Sequence, residues 1–184
     1  ETVKEFSNVF VPPGTSRQAY TIKLSNPVCW DPENPFLYGI KLLDKSEKLN
    51  SKDFLLGQER FGFREIEIRN DQFYLNGERL YLRGAQLYEP YRYNILKGLN
   101  HQGWAERWYN RWKDTNIVYY RYHSGLFPKT CYDIADEKDL LICNELLLPP
   151  SETIDVTDPV VKESIKDRIY SIFNHPSIIT YSLG

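Results

Sequence analysis

Methionine is absent from all 184 residues, and histidine occurs only three times. Cysteine is scarce as well: Cys29, Cys131 and Cys143 are an odd number with no CxxC spacing. They suggest neither a disulfide framework nor a zinc site. No apolar run approaches the ~20 residues that a membrane-spanning helix needs. No basic surplus exists either. Lys plus Arg number 23 against 25 Asp plus Glu, a net charge of −2, which argues against nucleic acid as the main partner. No glycine-rich phosphate loop follows a strand, so a doubly wound nucleotide-binding domain is a poor reading. Internal repeats and low-complexity tracts are missing. No leader segment is visible, but the chain opens on Glu1, so nothing rests on that. What is present is apolar and aromatic: 41% apolar residues, 15% aromatic, with 14 Tyr and 4 Trp. That suffices for a packed core and is not a disordered composition. Aromatic faces also suit sugars, whose C–H surfaces they cover.

Residues 1–66 read as β structure. Segments 3–11, 18–25 and 36–43 carry β-branched and aromatic residues between Pro-Pro-Gly and Asp-Pro-Glu-Asn-Pro turns. That rhythm fits part of an immunoglobulin-like β-sandwich. Residues 61–69 alternate apolar and charged for most of their length. Asn76-Gly77 then separates Phe73-Tyr74-Leu75 from Arg79-Leu80-Tyr81-Leu82, a strong hairpin signal because both turn residues tolerate positive φ. Beyond it the rhythm becomes strand, helix, strand, helix. Helices are expected over 101–115 and 128–138, and short apolar strands over 117–122, 140–143 and 178–183. Asp158 caps a further helix with Pro159 at its first position, and Val161, Ile165, Ile169, Ile172 and Phe173 form its apolar face. His175-Pro176 ends it. With 79–84 as the first strand, four βα units follow one another. The fold class is α/β: the first half of a TIM (β/α)8 barrel, over 67–184, preceded by part of the sandwich. Two open edges would make such a half barrel sticky by itself.

Four motifs stand in order along the chain. They are Trp30-Asp31-Pro32-Glu33-Asn34-Pro35-Phe36-Leu37-Tyr38, then Phe61-Gly62-Phe63-Arg64 through Leu75-Asn76-Gly77 to Leu82-Arg83-Gly84. The third runs from Arg121 through Tyr132-Asp133 and Asp136-Glu137 to Asn144-Glu145. The last is Asn174-His175-Pro176-Ser177-Ile178 to Ser182-Leu183-Gly184. Together they resemble glycoside hydrolase family 2, the group of β-galactosidases, β-glucuronidases and β-mannosidases. The resemblance implies a retaining exo-glycosidase with a nucleophile and an acid/base carboxylate about 5–5.5 Å apart. It places both beyond Gly184, where the family continues Asn-Glu, so this segment by itself is expected to be inactive and to supply the binding wall. A carbohydrate is the implied partner. Nucleic acid and membrane are not expected, no cofactor or metal is, and a homo-oligomer of the full-length protein stays open. A non-catalytic carbohydrate-binding or interaction module is the alternative.

Within the resemblance, Arg121 ends the second barrel strand, and its counterpart lies beside the nucleophile; the bland alternative is a structural ion pair. His123 and Ser124 stand in the reverse of the order common in β-galactosidases, which on an alternating strand puts the imidazole on the other face unless the loop bends. Asn144 and Glu145 end the third strand, where a Glu needs a partner or solvent; the resemblance implies that Arg121, His123, Asn144, Glu145 and Tyr88 bind substrate. The histidine that completes a magnesium site in β-galactosidases is replaced by Leu147, so Glu145 is expected to bond substrate or orient its neighbours. Tyr88 and Glu89 stand where the family often has His-Glu, and Tyr88 keeps a hydrogen-bonding group for sugar. Tyr91 and Tyr93 offer an aromatic subsite or simple loop packing. Trp104, Trp108 and Trp112, at four-residue steps, are expected to pack their helix. Asp133, Asp136 and Glu137 are expected on a solvated or ion-paired face, and Trp30 in the sandwich core.

Overall fold

The computed structural model describes residues 4–6, 12–14, 17–44, 54–87, 101–123, 125–146 and 155–183. Antiparallel pieces precede a parallel one. β1 (Tyr38–Asp44) pairs with β2 (Phe54–Phe61) over the register Tyr38↔Phe61 to Asp44↔Phe54. Segment 3–11 lies largely outside the described residues. Segment 18–25 is not assigned as a strand and is mostly exposed, with the Tyr20 ring 4.8 Å from that of Phe6.

A three-stranded meander follows: β3 (Ile66–Arg69), β4 (Gln72–Leu75) and β5 (Glu78–Leu80). Asn70-Asp71 and Asn76-Gly77 make its two turns, all four residues at positive φ from 49° to 85°. That is the left-handed geometry a two-residue hairpin demands. The alternating stretch 61–69 is broken: Phe61 ends β2, Phe63 bridges Cys29, and β3 begins only at Ile66.

The third sheet is parallel throughout, in the order β6-β7-β8-β9. β6 is Gly84–Leu87, so the first parallel strand starts where segment 79–84 was expected to end. β7 (Tyr119–Tyr122), β8 (Leu141–Glu145) and β9 (Ile178–Ser182) alternate with α1 (His101–Trp112), α2 (Lys129–Glu137) and α3 (Pro159–Ile172). Gly84 permits the tight β6–β7 approach, because a Cβ there would stand 2.8 Å from the Tyr119 ring. The core lies between sheet and helices. Tyr120, Tyr122, Ile142 and Ile178 pack against Ala105, Cys131, Tyr132, Ile134 and Ala135. α3 starts as its sequence dictates, with the Asp158 carboxylate accepting from the amides of Val160 and Val161 ahead of Pro159. Its expected apolar face is only partly covered. Ile172 is buried, whereas Phe173 is exposed and lies edge-on to Tyr170.

A joint ties the antiparallel part to the parallel part, and all four motifs supply its central pieces. Trp30 is fully buried there, its indole N–H donating to the carbonyl of Asp136 at 2.8 Å. Arg64 donates to the carbonyls of Pro176, just before β9, and of Ile178, its first residue. Gly62 is wedged between Trp30 and Pro176.

Candidate functional site

Parallel register decides which side chains meet. Gln86, Arg121 and Cys143 stand opposite one another across β6, β7 and β8, with Thr180 next on β9. Alternate residues share a face, so Arg121 and Glu145 rise on the same side at the C-terminal edge of the sheet. Arg121 Nη2 approaches Glu145 Oε2 at 2.8 Å, and His123 Nε2 stands 3.8 Å from the same oxygen. Arg121 Nη1 also reaches Gln86 Oε1 at 3.4 Å. Glu145 is 3% exposed, and the angle of Arg121 makes the contact an ion pair without a directed hydrogen bond to Oε2. A buried carboxylate 2.8 Å from a guanidinium is held in place by that charge. Below this rim the Tyr119 hydroxyl lies 2.6 Å from Thr180 Oγ1. Burial pushes the Tyr119 phenol above its ordinary pKa, with the Thr180 bond and Arg121 acting in the opposite sense.

Asn144 is the neighbour of Glu145 and therefore faces the other way. It is fully buried on the helix side, where its Oδ1 accepts from the Tyr132 hydroxyl at 2.7 Å and its Nδ2 donates to the carbonyl of Glu145 at 3.1 Å. The same Tyr132 oxygen accepts from the amide of Phe127 at 2.9 Å. The structure thus brings Arg121, His123 and Glu145 together and sets Asn144 behind them. His123 is two residues past Arg121 and comes to the same carboxylate, so the reversed His-Ser order does not turn the imidazole away from Glu145. Tyr88, Glu89, Tyr91, Tyr93, Ser124 and Leu147 lie outside the described residues. Trp108 packs partly buried against the core, as helix packing predicts; the side chains of Trp104 and Trp112 are outside the description.

The acidic residues of α2 divide. Asp133 and Glu137 form ion pairs with Arg60 of β2, and Asp133 also with Lys129 at 2.8 Å. Asp136 corrects the expectation of a solvated or ion-paired surface. It is 1% exposed, and its carboxylate bonds His175 Nδ1 at 2.6 Å and the amide of Ser177 at 3.1 Å. Its position carried the signal, since it falls four residues after the buried Tyr132 on the same helical stripe. Asp133, Asp136 and His175 converge within 4.8 Å, with their oxygens already engaged by Lys129, Arg60, His175 and Ser177. That is a hydrogen-bonded structural joint. Clefts among the described residues lie along α3 and, with about 360 Å³, between α2 and α3 near Glu59, Lys129 and Tyr170. Neither is lined by Arg121, His123 or Glu145.

No family model matches the chain. Curated proteins do. The chain is 31% identical over 176 residues to a β-galactosidase of Thermoanaerobacter pseudethanolicus, which covers 88% of the chain and 21% of that protein. It is 31% identical over 187 residues to a putative β-glucuronidase of Formosa agariphila, with 97% and 21% covered. The chain therefore spans about a fifth of the length of these relatives. Among solved structures, the β-glucuronidase of Parabacteroides merdae superposes with a TM-score of 0.70 at 28% identity, over 87% of this chain and 20% of that one. A family 2 β-galacturonidase of Eisenbergiella tayi, at 22% identity and a TM-score of 0.64 over 89% and 29%, shares the fold. Over nearly its whole length, then, the chain is related to a segment of β-glycosidases. The enzymes named in these matches are a β-galactosidase, β-glucuronidases and a family 2 β-galacturonidase.

Proposed function

We propose that the chain is the binding-wall segment of a retaining exo-β-glycosidase of glycoside hydrolase family 2, acting on a β-galactoside, β-glucuronide or β-mannoside. In this reading residues 1–66 close an immunoglobulin-like sandwich and residues 67–184 open a (β/α)8 barrel. Four sequential parallel strands with helices on one side support it, as do the relatives over the same stretch. The observation that carries the reading is the meeting of Arg121, His123 and Glu145 on one face at the C-terminal ends of β7 and β8, the end where parallel α/β barrels place their chemistry.

The nucleophile and the acid/base are expected after Gly184, at the ends of later strands. Arg121 would then hold the nucleophile side of the pocket positive. Glu145 would accept from sugar hydroxyls while anchoring Arg121, and His123 would bond substrate from the β7 loop. Tyr88 would add a donor after β6, and Asn144 would act from behind the wall by holding its tip. Homo-oligomerisation of the full-length protein belongs to the same reading. The test is hydrolysis of aryl β-galactoside, β-glucuronide and β-mannoside by the full-length protein, with retention read by NMR of the first-formed anomer. A well-folded protein inert on all three overturns the reading. Sugar binding without turnover would instead make the chain part of a non-catalytic carbohydrate-binding protein.

A further inference from the structure

We propose that Tyr132, on α2, is a positioning residue that locks together the two loop tips carrying His123 and Glu145. The inference rests on the glycosidase reading for its effect on turnover, but its structural part stands on hydrogen-bond arithmetic. Tyr132 is 1% exposed. Its oxygen carries a single proton. The backbone amide of Phe127 can only donate, and it does so to this oxygen at 2.9 Å. The hydroxyl proton is therefore directed to Asn144 Oδ1, 2.7 Å away. That choice fixes the orientation of the Asn144 amide and leaves Nδ2 to donate to the Glu145 carbonyl at 3.1 Å.

One buried hydroxyl thus joins the segment between β7 and α2 to the last residues of β8. The N-cap of α2 is Pro128, which makes no side-chain capping bond. The ring makes separate contacts, with Tyr122 at 5.7 Å and His175 at 5.1 Å between centroids. A phenylalanine would keep those and lose only the hydroxyl bonds. The Phe127 amide and Asn144 Oδ1 would each lose this buried bond, so the two tips gain freedom at their bases. Catalytic geometry is sensitive to displacements of an ångström or less, and the loss falls on turnover more than on binding.

The test compares Tyr132→Phe and Asn144→Asp with the parent in the full-length protein, by hydrogen exchange and by aryl glycoside kinetics. For Tyr132→Phe, exchange should accelerate in peptides covering both 123–128 and 144–146, and kcat should fall roughly 5- to 50-fold with KM nearly unchanged. Asn144→Asp keeps the acceptor for Tyr132 but loses the donor to Glu145. It should loosen 144–146, leave 123–128 protected, and lower kcat in the same way. It answers the question even if Tyr132→Phe fails to fold. Exchange unchanged in 144–146 for either variant, or kcat equal to the parent, overturns the proposal. A parent protein inert on every glycoside would sink the glycosidase reading and leave the exchange pattern alone to decide whether the hydroxyl locks the two tips.

Discussion

Glu145 shows how far residue-level reasoning reaches. A carboxylate after an apolar strand must find a cation or solvent, and here it finds Arg121 at 2.8 Å. Replacing Arg121 by Ala leaves the 3%-exposed Glu145 without its cation. We expect a loss of roughly 1–3 kcal/mol in chemical denaturation and a large fall in kcat/KM for any glycoside the full-length protein hydrolyses. Arg121→Lys should recover only part, because an ammonium cannot reach Gln86 and Glu145 with one planar fork. Asp133 gives a pH prediction. Burial pushes its carboxyl up, but the bonds and charges of Lys129 and Arg60 outweigh it and hold the group below the usual carboxylate range. A depressed folded-state pKa stabilises above the unfolded value of about 4, and that stabilisation disappears as pH falls through the folded value. The stability gap between the parent and Asp133→Asn should therefore narrow between pH 7 and pH 3 in urea titrations. A gap that stays constant would mean the ion pairs contribute nothing. Asp136 was legible only in part. An acid on a helix reads as surface until one notices that it shares a stripe with Tyr132, and its partner His175 is 39 residues away.

Among the elements, those specified by nearby residues were easy to read. Asn76-Gly77 is the turn its residue types require, and Asp158-Pro159 opens a helix with the capping bonds expected. Parallel strands were harder. Segment 79–84 carries the apolar run Leu80-Tyr81-Leu82, yet its first residues pair with β4, while β6 is four residues long and opens on a glycine. Segment 18–25 has the composition of a strand and is not assigned as one. Gly62 offers the clearest test of packing between elements. A Cβ there would lie 2.7 Å from Trp30 Cβ and 2.9 Å from Pro176 Cβ, and neither neighbour has a flexible end to move aside. Gly62→Ala should cost about 1–3 kcal/mol through overpacking, seen as a lowered melting temperature together with altered Trp30 fluorescence. A variant as stable as the parent would show that the joint is looser than the structure has it.

For the molecule as a whole, the motif residues at the joint act as structure. Trp30, Gly62, Arg64, Asp136 and His175-Pro176 hold the antiparallel part against the start of β9, whereas Arg121, His123 and Glu145 gather at the opposite ends of the strands. Apolar surface is left over. Ile40, Leu42 and Leu56 on the β1–β2 ribbon and Ile68 on β3 are more than half exposed, and β6 and β9 are the edges of the parallel sheet among the described residues. Such faces and edges seek partners. The 184-residue chain expressed alone should self-associate and bind a hydrophobic dye, and a monodisperse, dye-silent monomer in sedimentation would refute that.

Composition, turn chemistry and apolar period were enough to assign an α/β architecture, its helices, the Asp158 cap and the approximate extents of β7, β8 and β9. Each of those depends on residues within a turn or two of one another. Which side chains share a face was settled elsewhere. The approach of Arg121 to Glu145 depends on strand register between segments separated by a helix, and the Trp30–Asp136 bond closes a loop of 106 residues. Such contacts leave no local periodicity in the chain, because they are selected only when sheet, helices and joint pack at once.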